Sequence, residues 1–174
     1  MIRGERIALR AVRAADLAAL YPRISDLSLP GEPLALPRRS ESSFRKEFDE
    51  TGFLDARWGR LLVTDLDDRL LGTIVYFSVG TPDAFEIGYH LFDAASRGRG
   101  LMSEALRLAV RYLFERHDVT RLQIATAVDN EASKRLALKC GFRFKGTLRG
   151  NRFHHGHDSS PLLFSLQRGE ASPC

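Results

Sequence analysis

Two hydrophobic periods alternate along this chain. Ile7 and Leu9 share one face of the run Arg6 to Arg10, which predicts a short strand. Asp16 is placed to cap a helix over Leu17, Leu20 and Tyr21, and Pro22 limits or kinks it. Pro30, Gly31, Pro33 and Pro37 make Ser28 to Arg39 the most loop-like segment and the natural place for a mobile flap. Ser40 opens a second short helix, on which Phe44 and Phe48 are spaced by four. The period then shortens. Trp58–Thr64 and Leu70–Val79 are apolar, β-branched runs joined by a hairpin turn at Asp65 to Arg69. A further strand, Phe85–Phe92, is entered through Thr81-Pro82-Asp83.

The clearest helix follows the small, glycine-bearing segment Ala94 to Gly100. Leu101, Met102, Ala105, Leu106, Ala109, Val110, Leu113 and Phe114 form one helical stripe, with Arg107 and Arg111 facing away. Leu122–Val128 reads as a buried strand. Asp129 or Asn130 can cap a helix that runs through Leu136 and Leu138 and stops at Gly141. Phe142–Phe153 and Leu162–Leu166 close the sheet. The order is strand, two helices, three strands, helix, strand, helix, two strands. It predicts a mixed α/β fold in a single domain over residues 1–174, without repeats or an interdomain linker.

Composition adds exclusions. Hydrophobic residues are 44% and charged residues 28% of 174, so the chain can build its own core. Two cysteines are too few for a disulfide scaffold or a four-thiolate zinc site, and Cys140 reads as a buried filler. No apolar stretch is long enough to span a bilayer, and Met1 to Arg6 lacks a signal-peptide core. A soluble cytoplasmic protein is expected. The net charge of +4 permits an anionic ligand without demanding nucleic acid.

The candidate chemistry sits between Phe85–Phe92 and the helix from Leu101. In Ser96-Arg97-Gly98-Arg99-Gly100 two glycines let backbone N–H groups converge, just ahead of a helix N-terminus that favours phosphate. Arg97 and Arg99 add cationic donors. The same residues could equally form a plain tight turn. The spacing is neither Gly-x-Gly-x-x-Gly nor a P-loop, which disfavours a dinucleotide fold or an NTPase. Downstream, Asn130 and Ser133 lie three apart at a helix start, where each could serve as a cap or face a ligand.

Taken together, these segments resemble the GCN5-related N-acetyltransferase (GNAT) superfamily. Glu86-Ile87-Gly88-Tyr89-His90-Leu91 is similar to its fourth strand. Arg97-Gly98-Arg99-Gly100-Leu101-Met102 matches the Gln/Arg-x-x-Gly-x-Gly/Ala loop at Arg97 and Gly100, with Met102 a departure. Asp129-Asn130-Glu131-Ala132-Ser133 followed by Gly141-Phe142 resembles the Asn-x-x-Ser…Gly-Phe motif. Gly4 to Arg10, Gly146 to Gly150 and His157-Asp158 resemble the branch of ribosomal-protein N-terminal acetyltransferases (RimJ/RimL-like), which also holds acetyltransferases of antibiotics and other small amines.

The resemblance implies a mostly antiparallel sheet, flanked by helices, whose fourth and fifth strands splay around acetyl-coenzyme A. The pantetheine arm would pair near His90, Leu91 and Phe92. The pyrophosphate would rest on Arg97, Gly98, Arg99, Gly100, Leu101, Met102 and Ser103, and Asn130 would hold the arm. Ser133 would protonate the departing thiolate. For the acceptor amine, Glu86 is the candidate base, on the strand facing the thioester with apolar neighbours Phe85 and Ile87. Asp158 is an alternative, and a low-pKa α-amine could dispense with a base. In some relatives a glutamate stands where this chain has Arg152. The expected acceptor is a peptide N-terminus or a small amine, and homodimers are common in the branch. His154, His155, His157 and Asp158 cluster, but with no distant ligand set no metal is expected. A competing reading keeps the fold without catalysis and docks Arg143, Lys145, Arg149 and Arg152 on ribosomal RNA or protein. The scattered acids and missing aromatic platforms disfavour nucleic acid.

Overall fold

A computed structural model describes residues 1–25, 40–149, 152–154 and 157–171; residues 81–82, 152–154 and 157–159 are described by backbone alone. The Ser28–Arg39 loop lies outside the described residues, as do Gly150, His155 and Cys174. The strands are β1 (Ile2–Arg3), β2 (Ile7–Ala11), β3 (Trp58–Asp65), β4 (Leu70–Val79), β5 (Thr81–Leu91), β6 (Arg121–Thr126), β7 (Arg143–Thr147), β8 (Arg152–His154), β9 (His157–Ser159) and β10 (Leu162–Gln167). The helices are α1 (Leu17–Ser25), α2 (Glu41–Thr51), α3 (Leu101–Arg116) and α4 (Glu131–Lys139).

One sheet of eight strands runs β1-β2-β3-β4-β5-β6-β10-β7, and β8 and β9 form a separate hairpin. Every pairing in the large sheet is antiparallel except that of β5 with β6. This is the mixed, mostly antiparallel sheet expected from the sequence. The eight stripe residues of α3, Leu101 to Phe114, are all buried. They pack against Ile7 and Leu9, Leu61 and Val63, Ile74 and Tyr76, and Phe85 and Ile87. The alternate residues of the same strands face the other way. There Leu62 and Phe92 join Leu17, Leu20, Phe44 and Phe53 in a second cluster under α1 and α2. The pleat therefore gives β5 two faces, with odd-numbered residues toward α3 and even-numbered residues toward α1 and α2.

Several boundaries differ from the sequence pattern. Asp16 does not cap α1 directly. It closes a preceding 3-10 turn, accepting from the Arg13 amide at 2.7 Å and from the Arg10 guanidinium. Arg10 is buried between Asp16 and Asp68, and these hydrogen bonds hold both carboxyls below the ordinary aspartate range. β5 begins at Thr81 because Gly80 alone makes the turn from Val79, and Pro82 falls near the strand's start. The predicted strand Phe142–Phe153 divides. β7 ends at Thr147, the Leu148 amide bonds the Pro161 carbonyl at 2.9 Å, and the chain departs into β8. The two-residue β1 is too short to show alternation and was not foreseen.

Gly72 on β4 fixes the position of β5. A Cβ there would lie 2.3 Å from the His90 carbonyl oxygen, a backbone atom that cannot swing away. Gly72→Ala is expected to destabilise the protein by about 1–3 kcal/mol, the usual scale of overpacking. Urea unfolding measures this, and a variant as stable as the parent would contradict the packing argument.

Candidate functional site

Parallel pairing of β5 with β6 consists of Ala84↔Arg121, Phe85↔Leu122 and Glu86↔Gln123, and then stops. Beyond Glu86 the strands part, while β5 stays paired to β4 as far as Leu91 and β6 stays paired to β10. The Phe92 amide donates to the Leu71 carbonyl on the β4 side at 2.9 Å. By alternation, the backbone polar groups of Leu91, Tyr89 and Ile87 turn toward the fork. The fork opens into a cavity of about 570 Å³ that runs from Glu86 and Phe77 to the loop before α3 and the near side of α4.

At the mouth, Arg97, Gly98, Gly100, Leu101, Met102 and Ser103 line the cavity. Gly98 and Gly100 have φ of +72° and +78°, conformations that side chains rarely adopt. Gly100 is the N-cap of α3, and the first intrahelical bond runs from the Glu104 amide to the Gly100 carbonyl at 3.1 Å. The amides of Leu101, Met102 and Ser103 consequently lack partners within the helix. Gly100 is needed for its backbone conformation first. A Cβ there would also come within 3.3 Å of Arg6 Nη2.

Arg6 and Glu104 hold this loop from behind. Glu104 accepts from the Arg6 amide at 2.9 Å and from Arg6 Nε at 3.1 Å, and Arg6 Nη1 donates to the Arg99 carbonyl at 2.9 Å. Burial opposes the Glu104 charge, yet hydrogen bonds from Arg6 and from the Glu5 and Ile7 amides keep its carboxyl below the ordinary range.

Two side-chain groups flank the fork. On the α1/α2 face, Glu86 is buried and accepts from Gln123 Nε2 at 3.0 Å across the last paired rung. Its sequence neighbours Phe85 and Ile87 point into the opposite core, and its cross-strand neighbour is Phe77. His90 lies on the same face. Burial and nearby Arg97 push its pKa down, and its buried Nε2 has no hydrogen-bond partner among the described residues. On the α3/α4 face, Ser133 Oγ lies 2.7 Å from Tyr89 Oη. Burial pushes the Tyr89 phenol up to about 12, so it keeps its proton at neutral pH. Asn130 Oδ1 accepts from the Ser133 amide at 3.0 Å, so Asn130 caps α4 while also lining the cavity.

The cavity thus gathers Glu86, His90, Leu91, Arg97, Gly98, Gly100, Leu101, Met102, Ser103, Asn130 and Ser133. It does not gather Phe92 or Arg99. Phe92 packs in the second cluster under Arg23, with its amide committed to Leu71. Arg99 meets the site through its carbonyl, held by Arg6. Tyr89, Gln123, Arg135 and Lys139 escaped the sequence reading. Tyr89 and Ser133 are 44 residues apart, and only the fold joins them. The edge of β5, the free amides of α3 and the unpartnered His90 nitrogen suit a ligand that carries both amides and phosphates. Among the described residues, no group of three or more His, Cys, Asp or Glu gathers, and no helix is long and apolar enough to cross a membrane.

Comparison with known proteins gives a consistent result. Residues 6–143 match the family model described as "Acetyltransferase (GNAT) domain". The Escherichia coli ribosomal-protein-serine acetyltransferase is 29% identical over 155 residues, 86% of each chain. The Bacillus subtilis protein named "Probable N-acetyltransferase YjcK" is 36% identical over 107 residues, and the match spans 60% of this chain and 59% of that one. Among solved structures, the spermidine N-acetyltransferase of Vibrio cholerae in complex with CoA and spermine superposes with a TM-score of 0.82 at 18% identity, over 95% of this chain and 97% of that one. RimL, a ribosomal L7/L12 α-N-protein acetyltransferase in complex with coenzyme A, gives 0.79 at 22% identity, over 94% and 95%. At these identities the structures establish the shared fold.

Glu104→Gln should destabilise the protein by about 1–2 kcal/mol at pH 7, because a charge-assisted hydrogen bond is lost. A carboxyl held below its ordinary value contributes stability that is complete above that value and is lost as pH falls through the folded one. The gap between parent and variant should narrow from pH 7 to pH 4 in urea unfolding. A gap independent of pH would show that the Glu104 charge is not what secures the loop.

Proposed function

The chain belongs to the acetyltransferase (GNAT) family, and on that premise we propose that it transfers the acetyl group of acetyl-coenzyme A to a primary amine, the N-terminal α-amine of a protein such as a ribosomal protein. The observation that carries this reading is the fork, with a carboxylate on one face and a hydroxyl pair on the other. The free amides of Leu101, Met102 and Ser103, with Arg97, fit a pyrophosphate. The open backbone of Ile87, Tyr89 and Leu91 fits the amides of a pantetheine arm as an added strand would.

The two faces divide the proton transfers. Glu86, on the α1/α2 face, takes a proton from the incoming ammonium, since only the neutral amine attacks. As the N–C bond forms and the C–S bond breaks, a backbone N–H of the open β5 edge donates to the acetyl oxygen that gathers charge. Ser133, on the α4 face, donates its hydroxyl proton to the departing sulfur; the proton shed by the newly acylated nitrogen passes to solvent, and Ser133 is reprotonated through Tyr89, which takes a proton back from solvent. Gln123 fixes the Glu86 carboxylate at the vertex. The Escherichia coli relative, matched over 86% of both chains, supports a protein acceptor. Among the described residues that line the cavity, Glu86 is the sole acid, which suits an acceptor with a single charge better than a polyamine.

Mass-spectrometric assay of N-terminal peptides, polyamines and amino-antibiotics with acetyl-CoA should show acetylation of the peptides at the α-amine. Exclusive modification of small amines would overturn the assignment of the acceptor. Glu86→Gln should lower kcat by about 10²–10³-fold and remove the acidic limb of the pH profile. An unaltered profile would exclude Glu86 as the base.

A further inference from the structure

On the face of the sheet toward α1 and α2, one register row crosses the vertex of the fork. Trp58 pairs with Phe77 between β3 and β4, Phe77 with Glu86 between β4 and β5, and Glu86 with Gln123 between β5 and β6. Directly paired residues share a face, so the four side chains stand in a line. Trp58 packs on the second core cluster, edge-to-face with Phe53 and beneath Arg60, and Gln123 bonds Glu86. Phe77 has no such role among the described residues. Every other phenylalanine with a described side chain joins one of the two core clusters or, in the case of Phe144, lies on Phe164. Phe77 joins neither cluster and meets no other described ring, although it is half-buried and lines the cavity beside Glu86. An apolar ring held at a cavity wall and serving neither cluster is suited to a ligand.

Its position identifies what it meets. In the proposed reaction the acceptor nitrogen must lie within hydrogen-bond reach of Glu86. The first side chain of a peptide branches from the carbon that carries that nitrogen. Cross-strand neighbours have Cβ atoms about 4.5–5.5 Å apart, which puts the Phe77 ring within reach of that side chain. On the β6 side of Glu86 the Gln123 amide is already in place, and on the β4 side Phe77 offers only apolar contact. A polar or charged side chain set there would give up water without gaining a hydrogen bond from the ring, whereas an apolar one buries its surface against it. Resting on the reading that the acceptor is a peptide α-amine, we infer that Phe77 forms the subsite for the acceptor's first side chain and selects peptides that begin with an apolar residue such as leucine or methionine.

Steady-state kinetics of the full chain with acetyl-CoA and a set of peptides that differ only in their first residue test this. The parent should favour a leucine-first peptide over a glycine-first or aspartate-first one by about tenfold or more in kcat/KM, the scale set by a few buried methylenes. Phe77→Ala should lower the leucine-first value far more than the glycine-first value, so that most of the preference disappears. Phe77→Leu should keep most of it, since apolar surface is retained. A merely structural role would lower both peptides alike. A parent that does not favour the leucine-first peptide, a preference that survives in Phe77→Ala, or an equal fall for both peptides would each overturn the inference. Failure of the parent to acetylate any of the peptides would instead refute the peptide acceptor on which the inference rests. Phe77 belongs to neither core cluster, so its truncation leaves their packing in place.

Discussion

Parallel pairing between β5 and β6 ends at Glu86 and Gln123, and the arrangement of the site depends on that interruption. A sheet that continued to pair would bury the backbone of Ile87, Tyr89 and Leu91 in a ladder. Because β6 turns to β10 and β5 keeps to β4, a row of backbone polar groups is left facing the gap. Unpaired groups of this kind are costly when buried, which gives an amide-bearing ligand a favourable place to bind. The same interruption separates the two faces of β5. Even-numbered residues present Glu86 and His90 toward α1 and α2, and odd-numbered Tyr89 reaches Ser133 on α4. A carboxylate and a hydroxyl pair are thereby kept on opposite sides of the gap.

The second requirement is a loop that holds its amides in place before a ligand arrives. Gly98 and Gly100 supply left-handed backbone, and the price of that freedom is a loop that needs outside support. Support comes from a distant part of the chain. The turn before β2 delivers Arg6, which grips Glu104 in the first turn of α3 and the Arg99 carbonyl within the loop. Arg6 lies 98 residues from Glu104 and 93 from Arg99 in the sequence, so nothing in the loop itself points to it.

Local patterns made much of this visible. The α3 stripe, the β3–β4 hairpin and the Gly141 stop could be read because each is encoded within a few residues. The loop and the Asn130–Ser133 pair were legible for the same reason, although which way each side chain turned was not. Phe92 looked like the end of the binding strand, but alternation carries it into the second core cluster. Arg99 sits between two glycines; its carbonyl accepts from Arg6, and its side chain does not line the cavity. Tyr89–Ser133 and Glu86–Gln123 join residues 44 and 37 positions apart and left no local trace. Such pairs arise only once the register of β5 against β6 and α4 is set.

The central claim is that the open edge of β5 and the head of α3 receive coenzyme A. Amide hydrogen exchange with and without coenzyme A tests it most directly. Slowed exchange is expected at Ile87, Tyr89 and Leu91 and at Leu101, Met102 and Ser103 on addition of the ligand. Unchanged exchange at these amides, with protection arising elsewhere or nowhere, would contradict it.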